Sequence, residues 1–205
     1  MNYKQEIEMK GSRKYNGEAI GLLGPPGVGK STIGKLLAEK LNIQFYDLDD
    51  LIAKSAGVKT IKEIINTQGW PEFKRIQHQC KKDFFENTES KYILAYGGAV
   101  NRPGCNAKLT DENKNLVKKY LFNICLTPSD EAKEANDILW SRQNDGKRET
   151  GCKIKKEHYK YVEGLIPKYI KVADLVVFTH AATIVDTVEG IMKVVGEKAS
   201  NDFAE

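Results

Sequence analysis

Gly24-Pro25-Pro26-Gly27-Val28-Gly29-Lys30-Ser31 satisfies G-x-x-x-x-G-K-[ST], the phosphate-binding loop, at every constrained position. Its flanks supply the context the motif needs. Ala19-Ile20-Gly21-Leu22-Leu23 leads in as a short apolar run, as a buried parallel strand does. Thr32 to Leu41 leads out with Ile33, Leu36, Leu37 and Leu41 on one helical face. In a strand–loop–helix of this kind, glycines let successive backbone N–H groups converge on one anion. The helix then presents its positive end to the same point. Lys30 is placed to reach the β- and γ-phosphates, and the Ser31 hydroxyl to ligate Mg²⁺. The loop Gly24, Gly27, Val28, Gly29, Lys30 and Ser31 therefore implies binding of a nucleoside triphosphate.

The chain has 205 residues, enough for one domain with a substantial core. No stretch approaches the roughly 18 apolar residues of a membrane span. Met1 to Lys10 carries acidic residues and no apolar segment, so a signal peptide is not expected. Cys80, Cys105, Cys125 and Cys152 are dispersed and form no C-x-x-C, which argues against a zinc site and a disulfide framework. Reduced thiols and a cytoplasmic location are the simplest expectation. His78, His158 and His180 are equally scattered.

Net charge is +4, and its placement says more than its size. Between Arg142 and Lys156 stand six basic residues (Arg142, Lys147, Arg148, Lys153, Lys155, Lys156) and two acidic ones, Asp145 and Glu149. The run is either a solvated basic loop or a mobile cationic lid, since phosphoryl transfer needs positive charge over the γ-phosphate. Sparse aromatic interleaving speaks against a nucleic-acid partner.

Apolar runs alternate with helical patterns, with strands expected near 18–23, 43–47, 91–96, 119–126 and 173–178. Thr60, with Glu63 three positions on, reads as a capping box. Pro71 to Asn87 is amphipathic through Phe73, Ile76, Cys80 and Phe84. Ser129 or Asp130 is placed to cap the next helix. The last helix shows Ile184, Val188, Ile191, Met192 and Val195 on one face. Alternation of this kind predicts an α/β fold with a doubly wound, five-stranded parallel sheet flanked by helices. Residues 1–17 read as a polar, disordered extension, 18–198 as one domain with a lid near 142–157, and 199–205 as a tail. Ligands of such sheets bind at the carboxyl ends of the strands. Besides the loop, those ends carry Asp47-Leu48-Asp49-Asp50 and Gly97-Gly98. A strand-end Asp-x-Asp sets two carboxylates on one side, one for Mg²⁺ and one to accept a hydroxyl proton. The same carboxylates are also placed to cap a helix over 50–56.

These residues together resemble the shikimate kinase family. Gly24 to Leu41 is similar to that family's opening, and Phe45-Tyr46-Asp47-Leu48-Asp49 to its F-x-D-x-D. Gly57 to Ile64, followed by Gly69, Glu72 and Phe73, resembles its G-x-x-I-x-E-I-F and G-E-x-x-F-R stretch. Gly97-Gly98-Ala99-Val100 resembles the end of G-G-G-x-V, and Tyr169 to Asp174 the late Y-x-x-x-A-D. The likeness spans roughly residues 18–196. It implies a P-loop NTPase fold and an ATP- and Mg²⁺-dependent kinase acting on a small hydroxyl-bearing molecule, with the protein a monomer or weak dimer. It also implies Gly24, Gly27, Gly29, Lys30, Ser31 and Thr32 on the phosphates, and Ser31 and Asp47 on Mg²⁺. Asp49 would hold and deprotonate the acceptor, Gly97 and Gly98 would contact it, Arg142 would lie near adenine, and Arg148 would be the lid arginine.

The departures are specific. Lys74 stands where the family has a substrate-gripping arginine, Gln77 where it has glutamate, Tyr96 where it has the first glycine, and Leu165 where it has a second arginine. Arginine holds a carboxylate as a bidentate fork; lysine is a point charge and leucine offers nothing. Losing such a pair costs about 1.5–3 kcal/mol. Lys74 remains the candidate acceptor residue, with Arg75 or a lid lysine as replacement charge. A neutral cyclitol or sugar-like acceptor suits fewer arginines. A gluconate-type or nucleotide kinase, and a catalytically weak nucleotide-binding regulatory module, stay open as alternatives.

Overall fold

The computed structural model describes residues 8–89, 91–97, 107–144 and 163–199. Six strands form its sheet: β1 (Met9–Gly11), β2 (Ala19–Leu23), β3 (Gln44–Asp47), β4 (Tyr92–Ala95), β5 (Leu121–Thr127) and β6 (Leu175–Phe178). The helices among the described residues are α1 (Lys30–Leu41), α2 (Leu48–Ser55), α3 (Ile61–Asn87), α4 (Ala107–Tyr120), α5 (Ala132–Asn144), α6 (Ile166–Val172) and α7 (Ile184–Ala199). The sheet order is β1-β6-β5-β2-β4-β3. β2 runs parallel to β4 and β5, β3 to β4, and β5 to β6. No helix among the described residues is long and apolar enough to cross a membrane.

Strand pleating explains the two core layers. Ile20 and Leu22 of β2, with Phe122, Ile124 and Leu126 of β5, face one layer, which holds Ile33, Leu37, Val188 and Ile191. Leu23, Leu121 and Cys125 face the other, with Phe73, Phe85, Tyr96, Leu165 and Tyr169. Every residue of β5 is buried, as expected for a central parallel strand. α1 lies close on the sheet because Gly34 has no side chain: a Cβ there would stand 2.4 Å from the Phe45 ring.

The five expected strands all form, but two expectations need correction. The sheet has a sixth strand, because β1 pairs antiparallel with β6 at Met9↔Val177 and Gly11↔Leu175. The segment before residue 18 is therefore a built edge and not a free tail over its described part. Three residues with Lys10 outward are too short to show a strand period. What holds them is tertiary: Tyr15 is buried with its ring 5.3 Å from Phe122, and the Arg13 guanidinium pairs with Glu18 and Asp174. At Thr60 the capping box is partial. The residue has the extended backbone of a cap, yet its hydroxyl bonds the Glu63 carboxylate at 3.2 Å and caps no N–H. α3 breaks at Gly69 (φ 80°, ψ 173°), next to Pro71, into the two helices the sequence pattern separates. Ser129 does cap: its Oγ accepts from the Glu131 N–H at 3.1 Å ahead of α5.

A polar chain crosses the apolar layer beneath the end of β4. Tyr96 donates to Asn123 Oδ1 at 2.6 Å, and Asn123 Nδ2 donates to Asp174 Oδ2 at 3.2 Å. Arg13 Nε closes the chain on Asp174 Oδ1 at 2.9 Å. Burial pushes the Tyr96 phenol well above its ordinary range, so it stays a donor. Tyr96→Phe strips a buried amide oxygen of its partner and is expected to lower stability by about 1–3 kcal/mol. Urea unfolding should show a lower midpoint at unchanged slope; an unchanged midpoint would mean that Asn123 finds another donor.

Candidate active site

The loop between β2 and α1 turns on Gly24. Its φ is 144°, and a Cβ there would meet the Leu126 carbonyl oxygen at 2.2 Å, so no other residue fits. Gly29 (φ 105°) caps α1, which leaves the first backbone N–H groups of the helix facing the loop. Lys30 Nζ, partly buried, donates to the carbonyls of Gly24 and Pro25, each at 3.0 Å. Loss of hydration lowers this lysine to about 8, while Asp49 and Asp47 pull the other way.

Asp47 ends β3 and does two things at once. Oδ2 accepts from Ser31 Oγ at 2.9 Å, and Oδ1 accepts from the Asp49 N–H at 3.1 Å, capping α2. The capping and Ser31-facing readings of this residue thus coexist. Strand alternation is not what gathers the two carboxylates, because α2 begins at Leu48 and Asp49 lies in its first turn. Asp49 is exposed, with charged neighbours within electrostatic reach. Loss of hydration first, and then the like charge of Asp47, push its carboxyl above the usual range; Lys30 and Lys74 oppose this. Thr32 is exposed in the first turn of α1.

Gly97 follows β4 close to Lys30: a Cβ on it would lie 3.9 Å from Lys30 Nζ. Gly98, Arg148 and residues 145–157 of the expected lid lie outside the described residues. Arg142, at the end of α5, donates to the Thr179 carbonyl at 2.6 Å. It lines a cavity of about 270 Å³ with Val28, Ile33, Thr179, Thr183 and Thr187. Sequence reasoning did not single out these threonines, although Thr179 directly follows β6, where the strand-end rule points.

On the acceptor side, Lys74 is buried and donates to Gln77 Oε1 at 2.9 Å. Arg75 does not enter the site. It is exposed and grips Glu72 through three contacts of 2.7 to 3.0 Å. Leu165 is buried in the apolar core and brings no polar group. The structure adds a residue that no motif marked: Lys81 of α3 is fully buried. Among the described residues there is no cluster of histidine, cysteine and carboxylate groups of the kind that holds a metal without substrate. The hard oxygens of Ser31 and Asp47 beside a phosphate loop suit a partly hydrated Mg²⁺.

A mostly parallel sheet with a glycine loop at its central strand, a loop lysine and a serine–aspartate pair beside it defines a P-loop kinase fold. The family model for shikimate kinase matches residues 26–121. A shikimate kinase of Francisella tularensis subsp. holarctica is 30% identical over 172 residues, covering 84% of this chain and 91% of that protein. The chain belongs to the shikimate kinase family. The pentafunctional AROM polypeptide of Schizosaccharomyces pombe is 34% identical over 113 residues, 55% of this chain, but the match spans only 7% of that polypeptide. In fold, a shikimate kinase from Acinetobacter baumannii in complex with shikimate superposes with a TM-score of 0.68 at 22% identity, covering 88% of this chain and 94% of that one.

Two substitutions separate the roles of Asp47. Asp47→Ala removes the cap and should cost about 1 kcal/mol of stability. Asp47→Asn keeps an acceptor for the Asp49 N–H and should unfold within about 0.5 kcal/mol of wild type. Both should weaken nucleotide binding in the presence of Mg²⁺ much more than in its absence. Titration of ATP with and without Mg²⁺ reads this; an Asn variant that binds Mg²⁺-ATP normally would remove the carboxylate from the metal site.

Proposed function

We propose that this protein catalyses ATP-dependent phosphoryl transfer to a hydroxyl of shikimate or a closely related ring polyol. The observation that carries the reading is Asp49, a carboxylate open to the cleft and within electrostatic reach of both Lys30 and Lys74. It links the phosphate side to the acceptor side, and a pure nucleotide binder has no use for it there.

The roles follow from the residues. Lys30 leaves the Gly24 and Pro25 carbonyls and donates to the β- and γ-phosphate oxygens of ATP. The loop N–H groups and Thr32 hold the phosphates, and the pocket of Val28, Arg142, Thr179 and Thr183 takes the base. Ser31 and Asp47 hold Mg²⁺, which when bound offsets charge on the phosphates. Asp49 orients the acceptor hydroxyl and accepts its proton. Its raised carboxyl makes it a stronger base than an ordinary aspartate, and transfer declines as pH falls through its value. Gly97 and Gly98 let the acceptor ring approach the backbone, and Lys74 faces its far side. Arg148 supplies charge at the transferred group.

Coupled ADP release with shikimate, cyclitols and sugar acids tests the assignment. Lys30→Ala should lose at least about a hundredfold in turnover. Asp49→Asn should lose turnover while ATP affinity stays within about twofold. Turnover that survives Asp49→Asn would require another base. ATP binding with no acceptor-stimulated ADP release would favour a nucleotide-binding module.

A further inference from the structure

α3 carries a polar face that the roles above leave unused. Lys74, Gln77 and Lys81 stand at i, i+3 and i+7 and are 6%, 2% and 0% exposed. This spacing puts them on one side of the helix, and helical side chains lean toward the N-terminus, which carries Lys81 toward Gln77 and Lys74. Lys74 spends one donor on Gln77. Lys81 Nζ has no hydrogen-bond partner among the described residues.

An unpartnered buried ammonium is costly, so such a group sheds its proton or acquires an anion. Among the described residues no carboxylate compensates Lys81. Desolvation and then the Lys74 charge pull it down to about 7, and the Cys80 thiol is the opposing influence. The other titratable groups buried in that core layer are the Tyr92, Tyr96 and Tyr169 hydroxyls and the Cys125 thiol, with Tyr46 and Tyr120 packed partly buried against it. Burial pushes Tyr92 and Tyr96 above their ordinary range and Cys125 up to about 12, so none of the three supplies an anion near neutrality. His78, on the neighbouring face, is turned to Glu112 and Asn113 of α4. The face is thus two lysines around a neutral amide, with Asp49 acting across the cleft on Lys74.

We propose that Lys81 is a positioning residue of the acceptor site: from behind Lys74 it supplies the positive charge that Leu165 does not, and so selects an acceptor bearing a carboxylate. The proposal rests on the kinase reading above and names the acceptor class within it. Above about pH 7 the empty protein holds Lys81 mainly as the amine. A carboxylate seated on Lys74 favours the ammonium, so the acceptor binds with uptake of one proton from the buffer acid onto Nζ.

The test is calorimetry on the full chain with shikimate and with shikimate methyl ester, which keeps the ring and removes the charge. Titrations run between about pH 7 and about pH 9, below the ordinary lysine value, in two buffers of different ionisation enthalpy. Wild type should bind shikimate with proton uptake, and more weakly as pH rises; the ester should show neither. Lys30 also titrates in this window, and the ester controls for it. Lys81→Met should lose the uptake and bind shikimate about ten- to a hundredfold more weakly, the range a charge-assisted contact supplies. In turnover the loss should fall on KM and not on kcat.

Equal shikimate affinity and an equal pH profile in Lys81→Met would overturn the role of Lys81 and leave the kinase reading standing. Equal binding of acid and ester by wild type would overturn the carboxylate selection. Failure of wild type to release ADP with any acceptor would overturn the kinase reading and this proposal with it. Should Lys81→Met not fold, the wild-type titrations still decide: acid binding without proton uptake would overturn the role of Lys81.

Discussion

The contact between Gly24 and the Leu126 carbonyl governs the rest of this structure. β2 ends against β5 so closely that no side chain fits between them. The chain must turn there with a positive φ, and the turn delivers Lys30 to the first position of α1. Everything chemical is then arranged around that helix end. β3 brings Asp47 to Ser31, α2 starts on Asp47 and so places Asp49, and β4 ends with Gly97 beside Lys30. One backbone constraint at the middle of the sheet thus sets the positions of residues from three strand ends.

Charge is the second organising force, and it is unevenly matched. On the nucleotide side, Lys30 has Asp47 and Asp49 for company, and its hydrogen bonds go to loop carbonyls that a phosphate can replace. On α3, Lys74 donates to the neutral Gln77, and the buried Lys81 Nζ has no hydrogen-bond partner among the described residues. The apolar layer around them is committed to packing, with Leu165 in the core and Arg75 turned outward onto Glu72.

Legibility tracked the range of the interaction. The loop, the helix after it, the five parallel strands and the break near Gly69 were all readable, because each is written in local spacing or in a residue with special backbone freedom. The serine–aspartate pair was readable as a candidate because both residues sit at strand or helix ends. β1 was not, since three polar-flanked residues carry no period and gain their place only from Tyr15 and Arg13 packing on a distant strand. Thr179 was missed although the strand-end rule pointed at it, because threonine after a strand is unremarkable until Arg142 is seen to bond there; Thr183 and Thr187 join it only through the packing of the last helix.

The sequence by itself determined the fold class, the phosphate loop and the family, because glycine geometry and hydrophobic period are properties of neighbouring residues. It also showed which charges the acceptor side had lost. Only the tertiary structure decided which charges remained. Lys74, Arg75 and Lys81 are alike on paper, but the packing of α3 against the sheet buries two of them on one face and turns the third to solvent. Burial of a charge depends on which helix face meets the core, and residues far apart in the chain settle that.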